Sequence, residues 1–457
     1  MLKVYNQLTK QVEEIKPQRE GEISIYTCGP TVYNFAHIGN FASYIYWDLM
    51  VRTLTVEGFD VKRILNLTDV GHLTSDGDEG EDKLEKGARR ENKTVWEVAE
   101  TYINAYMKDF RSLNLAEPYK ICRATDYIEA DIELVNKMEE NGYLYETSDG
   151  MYFDTSKFPD YAKFAQLDLD QMRAGARVEF SSEKRNVSDF AVWKFIKEGE
   201  DHAMQWEYKG RMGYPGWHLE CSTIIEKELG SPIDIHTGGI DHIPVHHTNE
   251  IAQTMAVTGG KLANYWMHCS FINIDNQKIS KSLGNTYTLE DLKEKGFSPL
   301  DFKMWILQGH YRGDRNFTFD DLKAAQTRRA SWRNRAARAY QQDNHLDDLC
   351  EEEYSKNEGL KSDLLEALDN NLNSAEAFKV IDEVEPDYRG WQFIDKLFGL
   401  DLLVSEEPSE ELLSKIAKRE EARKNKDWAV ADQMRDEIAA EGYTVLDTAD
   451  GPVWQYK

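Results

Sequence analysis

The sequence contains no apolar run approaching the ~20 residues that a membrane-spanning helix needs, and only 41% of its residues are hydrophobic. Its opening stretch, MLKVYNQLTKQVEEIKP, has neither an apolar segment nor a small-residue cleavage site, so neither a membrane anchor nor a secretory leader is expected. Cysteine is scarce. The five present (Cys28, Cys122, Cys221, Cys269, Cys350) are odd in number and widely scattered, which argues against a disulfide framework and suits a reducing cytoplasm. Positive charge is also in short supply: 55 basic residues face 82 acidic ones, for a net charge of −27. An indiscriminate nucleic-acid binder shows the opposite balance, although a local basic groove on an acidic body stays compatible with it. No internal repeat is apparent, and 457 residues suggest about three domains.

What is present reads first as strand, loop, helix. Ile23 and Ile25 alternate with polar neighbours, Gly29-Pro30 ends the run, and Asn40 stands where an N-cap would precede FASYIYWDLMVRTL. Gly58 closes that helix, and Val61, Ile64 and Leu65 suggest a second strand. The result is a βαβ unit and hence a parallel sheet. The acidic stretch from Asp76 to Glu85 is not a calcium loop, because its sixth position is Glu81 and its twelfth is Gly87. Thr94 and Glu97 form a capping box ahead of a helical stripe, and a further helix carries Ile128, Ile132, Val135 and Met138. Residues 143–210 have little period and read as an inserted, loop-rich module; α/β character returns with the strand IDIHTGG (233–239). A hairpin is expected at FINIDNQ, long helices after about Asp320, a linker at EEPSEELL, and a β-like end over Tyr443–Tyr456. The expected architecture is an α/β Rossmann-type nucleotide-binding domain (1–120 and 211–262) split by a connective insertion (121–210). A connecting segment (263–320), a helical bundle (321–404) and a small C-terminal piece (405–457) follow.

Two short strings carry chemistry. His37-Ile38-Gly39-Asn40 joins a strand to a helix, where unpaired N–H groups and the positive end of the dipole suit phosphate. Taken by itself, the string is weak and reads first as an ordinary strand–helix turn. Lys278-Ile279-Ser280-Lys281-Ser282-Leu283-Gly284-Asn285 places two lysines three apart in a cationic loop, suited to neutralising charge on a leaving pyrophosphate. Taken by itself, it is equally a solvated surface loop. The two strings lie about 240 residues apart, each beside α/β structure.

Together they resemble the paired signatures HIGH and KMSKS of the class I aminoacyl-tRNA synthetases. The resemblance extends along nearly the whole chain to one branch, the cysteinyl-tRNA synthetase family, through YTCGPTVYNFAHIGN, RILNLTDVGH, MRAGARVEF, GWHLECS, DIHTGGIDHIPVHHTNEIAQ, KISKSLGN and KNKDWAVADQMRDEI. Two positions depart from the usual spelling. Asn40 replaces the final histidine of the first signature but keeps a donor, and Ile279 replaces methionine in the second.

The resemblance implies ATP-dependent ligation of L-cysteine to tRNA(Cys) through an adenylate, with Mg²⁺ accompanying ATP. His37, Asn40, Lys278 and Lys281 would serve the reaction; Gly39, Gly238, Gly239 and Asp241 would approach the nucleotide; and Cys28, Gly29, Thr68 and Trp217 would line the amino-acid pocket. It also implies one zinc ion per chain on Cys28, Cys221, His246 and Glu250. Spacing alone supports only the His246–Glu250 pair, four apart on one helix face, with His247 an ambiguous neighbour. Read without the family, Cys28 and Cys221 are buried apolar thiols. Zinc holds thiolates at about 2.3 Å, so it would select cysteine over serine with no added editing domain. The helical third would read the anticodon. The basic run Lys323, Arg328, Arg329, Arg333, Arg335 and Arg338 would track phosphates or form a salt-bridged face, and Trp428 and Trp454 would stack on bases or lie in the core. A cytoplasmic monomer is expected. The alternatives are a cysteine ligase acting on an aminosugar amine and an inactive RNA-binding paralogue.

Overall fold

A computed structural model describes residues 1–71, 83–168, 183–197, 199, 202–280, 283–343, 351–404, 408–448 and 451–457. Most of the acidic stretch from Asp76 to Glu85, the string MRAGARVEF, and Lys281 with Ser282 lie outside the described residues.

Five parallel strands form the central sheet: β1 (Glu22–Thr27), β2 (Asp60–Leu67), β3 (Lys120–Arg123), β4 (Ile233–Gly239) and β5 (Ala263–Cys269). Their spatial order is β5-β4-β1-β2-β3, so the chain reverses its winding between β1 and β4. Register is set by apolar residues buried on both faces: Ile25 lies beside Ile235, and Tyr26 beside Ile64. A ligand crevice is expected outside the carboxyl ends of the strands at such a reversal.

Helix α1 (Ile38–Val56) follows β1. Its N-cap is His37 rather than Asn40. His37 is extended at φ −100°, its Nδ1 accepts from the Asn40 N–H at 3.3 Å, and the Asn40 side-chain oxygen accepts from the His37 N–H at 3.0 Å. The helix therefore starts one turn earlier than expected, with Asn40 as the reciprocal member of a capping box. Asp48 on α1 is fully buried and accepts from Lys303 Nζ at 2.8 Å and from Arg52 Nε at 2.9 Å. Helix α2 (Val95–Ser112) begins with the capping box of Thr94 and Glu97, as its spacing predicts.

Between β3 and β4 the chain departs from the expected loop-rich module. After helix α3 (Ile128–Glu140), strands Leu144–Thr147, Gly150–Phe153, Phe190–Phe195, Arg211–Pro215 and Trp206–Tyr208 form, in that spatial order, an antiparallel sheet. Its strands are three to six residues long. They close on Met151, Phe153, Phe190 and Trp193, so apolar alternation has no length over which to show. The boundary expected at 121 falls within β3, which belongs to the central sheet.

Helices α4 (Leu219–Glu228) and α5 (Thr248–Thr258) flank β4, and a wide turn over Ile243–His247 leads into α5. The expected hairpin is present: Ile272–Ile274 pairs with Gln277–Lys278 across Asp275 and Asn276, both at positive φ, the signature of a type I′ turn.

Helix α6 (Phe319–Asp343) opens the helical region, with Trp332 packed on Phe378 and Trp391. Four of its arginines form a paired face, and Arg333 lies over the Tyr456 ring. Arg328 meets Asp382 at 2.5 Å, Arg329 donates to Leu400 O at 2.8 Å, Arg335 donates to Ile381 O at 3.1 Å, and Arg338 meets Glu385 at 2.8 Å. The C-terminal piece packs Trp454 among Ala337, Leu412, Ile416 and Ile438, whereas Trp428 is 58% exposed.

Candidate active site

A cleft of about 370 Å³ opens at the carboxyl ends of β1 and β4, where the strand order reverses. It gathers residues that the sequence holds far apart. Cys28 and Gly29 follow β1, Thr68 follows β2, Trp217 and Cys221 come from the start of α4, and His246 comes from the turn before α5. The same cleft is lined by His37, Gly39 and Asn40 at the start of α1, Gly238, Gly239 and Asp241 at and after the end of β4, and Lys278. Glycine is required by crowding at two of these points. A Cβ on Gly29 would lie 1.6 Å from Asn66 O, and one on Gly238 would lie 2.6 Å from His242 Nδ1. The two signatures adjoin: the Ile38 N–H donates to Tyr287 O at 2.8 Å, and Ile279 reaches the Gly39 backbone. Asn285 ties the described part of the lysine loop together, accepting from Ser280 N and donating to Lys278 O.

The cleft floor holds a dense set of donor atoms. Cys28, Cys221, His246 and Glu250 are all buried, and one ligand atom from each lies within 4.8 Å of the others. His246 Nε2 stands 2.7 Å from Glu250 Oε1. That oxygen has no hydrogen bond of acceptable geometry, as befits a group shaped for another partner. Burial opposes ionisation of Glu250, but the imidazoles of His236 and His246 outweigh it and hold the carboxyl far below its usual range. Burial likewise pushes His246 down, and Glu250 with Cys28 overrides it, raising the imidazole to about 10. Burial also opposes ionisation of Cys28, yet Cys221 and His247 beside it bring the thiol well below its ordinary value. A second set, Cys28, His236, His247 and Glu250, meets the same distance test. In it His236 Nε2 lies 2.7 Å from Glu250 Oε2 with its ring stacked 4.5 Å from Trp266, and His247 pairs through Nδ1 with His268 Nε2 at 2.8 Å and through Nε2 with Cys28 Sγ at 3.4 Å. Of the residues that distinguish the two sets, Cys221 and His246 line the cleft. Two thiols, an imidazole and a carboxylate are a donor set that suits zinc.

Sequence reasoning leaves several members of this floor without a role, reading His218 as structural and not singling out His236 or Glu220. His236 braces Glu250, His218 Nδ1 meets His246 Nδ1 at 2.9 Å, and Glu220 accepts from Thr68. The available signal was a histidine in the strand IDIHTGG, and a histidine and an acid just ahead of Cys221 at the start of a buried helix.

This fold and cleft are those of a class I aminoacyl-tRNA synthetase. Residues 14–327 match the family model described as the class I (C) tRNA synthetase catalytic domain, and residues 409–454 match the cysteinyl-tRNA ligase anticodon binding domain. The chain belongs to the cysteinyl-tRNA ligase family. It is 40% identical to cysteine–tRNA ligase 1 of Burkholderia lata, over 98% of this chain and 96% of that one, and 37% identical to the cysteine–tRNA ligase of Treponema denticola, over 99% of each. The fold is also similar to that of Mycobacterium tuberculosis methionyl-tRNA synthetase bound by methionyl-adenylate. There the TM-score is 0.58 at 15% identity, covering 84% of each chain.

Proposed function

We propose that the protein ligates L-cysteine to tRNA(Cys) in two steps. A cysteine carboxylate oxygen attacks the α-phosphorus of Mg²⁺-bound ATP, the bond to the bridging oxygen breaks, and pyrophosphate leaves. A terminal ribose hydroxyl of the tRNA then attacks the carbonyl of the adenylate and AMP leaves. The chain's own work is positioning and charge stabilisation, because no side-chain nucleophile is required. His37 and the Gly39 N–H at the start of α1 meet the phosphates, since the Ile38 and Asn40 N–H groups already donate to Tyr287 O and His37. Lys278 and Lys281 neutralise the charge that builds on the leaving pyrophosphate. Gly238, Gly239 and Asp241 give the ribose and base room and an acceptor. Thr68 and Trp217 stand where the amino acid would lie, beside Cys28 and Gly29.

Cys28, Cys221, His246 and Glu250 would hold a zinc ion, which when bound supplies a borderline-soft acceptor that prefers the substrate thiolate to a serine hydroxyl. One observation carries the reading: two thiols, an imidazole and a carboxylate converge at a cleft outside the carboxyl ends of β1 and β4. The match over residues 409–454 to an anticodon binding domain favours tRNA over an aminosugar acceptor, and the assembled floor disfavours an inactive paralogue. A cytoplasmic monomer completes the reading. Four buried free thiols among the described residues suit a reducing compartment, and no described helix is long and apolar enough to cross a membrane.

The test is pyrophosphate exchange into ATP dependent on cysteine but not serine, with zinc measured on the purified chain. Lys281→Ala is expected to slow that exchange by about 100-fold or more while zinc content stays unchanged. Near-normal exchange would remove the loop from the reaction.

A further inference from the structure

The backbone N–H of Gly29 donates to Asn66 Oδ1 at 2.7 Å. That donor cannot be reversed, so the carbonyl side of the Asn66 amide must face Gly29 and its NH₂ must face the other way. The NH₂ lies 3.1 Å from Thr68 Oγ1, which therefore accepts. The Thr68 hydroxyl hydrogen then has one recipient at hand, Glu220 Oε2 at 2.9 Å. Asn66, Thr68 and Glu220 are 1%, 3% and 1% exposed, so the chain of bonds runs in a dry environment where each direction is costly to invert. A hydroxyl carries one donor and two acceptor positions. In Thr68 the donor and one acceptor position are taken, and what remains for a molecule in the cleft is an acceptor.

We propose that Glu220 is a positioning residue. By holding the Thr68 hydrogen, it makes Thr68 an obligate acceptor toward the amino-acid pocket. Thr68 then recognises the substrate's α-ammonium and offers nothing to its carboxylate. This rests on the reading of the cleft as a cysteine site and goes beyond it by assigning which end of the amino acid meets Thr68 and what enforces that choice. It also explains why an acidic side chain adjoins Cys221 on a buried helix face: the carboxylate serves the pocket wall.

The experiment uses the full-length chain in cysteine-dependent pyrophosphate exchange, with two competitors. Cysteamine has the thiol and ammonium but no carboxylate; 3-mercaptopropionate has the thiol and carboxylate but no ammonium. The isosteric variant Thr68→Val is expected to raise the cysteine KM and the cysteamine inhibition constant about tenfold each. It is expected to leave the 3-mercaptopropionate constant within twofold, with zinc content and the ATP KM unchanged. Glu220→Met should reproduce this pattern and add less than twofold in the Thr68→Val background. Loss of 3-mercaptopropionate binding in Thr68→Val would overturn the assignment. So would an effect of Glu220→Met that is undiminished in the Thr68→Val background, or one accompanied by zinc loss. If Glu220→Met fails to fold, the competitor pattern in Thr68→Val alone decides the polarity of Thr68. Absence of any cysteine-dependent exchange in the parent chain would instead count against the proposed function.

Discussion

The cleft floor and helix α6 both concentrate charged or titratable side chains, yet they use them oppositely. Along α6, Arg328, Arg329, Arg335 and Arg338 each find a carboxylate or carbonyl on a neighbouring segment, so the charge is spent on joining helices. A few Nε–H groups there go unpaired, but none of these four guanidinium groups lacks an acceptor. In the floor, imidazoles face imidazoles: His218 meets His246 and His247 meets His268, while Glu250 Oε1 and His236 Nδ1 are left without a hydrogen bond. Burial of groups that do not fully satisfy one another marks a site built around something else. Like charges that each meet a carboxylate or carbonyl of a neighbouring segment, as these four do, mark architecture.

The largest break in that contrast is expected from Cys221→Ala. If the floor exists to hold a metal through Cys221, bound zinc should fall well below one per chain and cysteine-dependent exchange should drop about 1,000-fold. His247→Ala, outside the favoured set, should retain zinc at a cost of 10–100-fold in affinity. Metal analysis of the two purified variants checks this, and greater zinc loss in His247→Ala would transfer the site to the second donor set.

How far each region was legible follows from where its partners lie. The individual strands and helices of the βαβ unit, α2 with its Thr94 cap and the terminal hairpin are governed by neighbours a few residues away, and the sequence pattern shows them, whereas the pairing of β1 with β4 joins residues about 210 apart. The insertion was misread because its sheet has strands of three to six residues, too short for alternation to show. The cap of α1 was displaced because imidazole is an uncommon cap, and Asn40 lies in the one register where it reciprocates. In the floor, the i,i+4 pair of His246 and Glu250 is visible along a helix, whereas the approach of Cys28 to Cys221 depends on the whole sheet. The roles of His236 and Glu220 need three-dimensional neighbours and have no local signature.

A sharper version of the comparison uses a third arrangement, the buried pair Asp48–Lys303. Both side chains are at most 1% exposed, and Asp48 also takes Arg52 and the Ala116 N–H at 2.7 Å. Here the charges are inaccessible, as in the floor, but complementary, as on α6. Asp48→Asn is expected to destabilise the fold by about 3–5 kcal/mol, because it leaves the Lys303 ammonium buried without its counter-charge. Denaturant unfolding followed by tryptophan fluorescence measures it. A loss under about 1 kcal/mol would mean that Asn114 O, which also accepts from Lys303 Nζ at 3.0 Å, and water satisfy the ammonium without Asp48, and that the pair is not a lock between α1 and the segment bearing Lys303.

The smallest effect is expected at the outer end of α6. Arg338 donates to Glu385, whose side chain is 65% exposed, so the pair sits in water and is worth about 0–1 kcal/mol after screening. Arg338→Ala should change unfolding free energy by less than about 1 kcal/mol. If the face is architectural, tRNA affinity should also move by less than about twofold across a salt titration. A basic residue in contact with a phosphate behaves differently, since its removal lowers the slope of log affinity against log salt by about one. The same titration on Arg328→Ala supplies the internal comparison, because its partner Asp382 is shared with Trp332 Nε1 and ties the bundle together. A reduced slope in Arg338→Ala with unchanged stability would show that this end of α6 releases its acidic partner to take up RNA, and the division between a spent face and a working floor would then have to be redrawn along the helix itself.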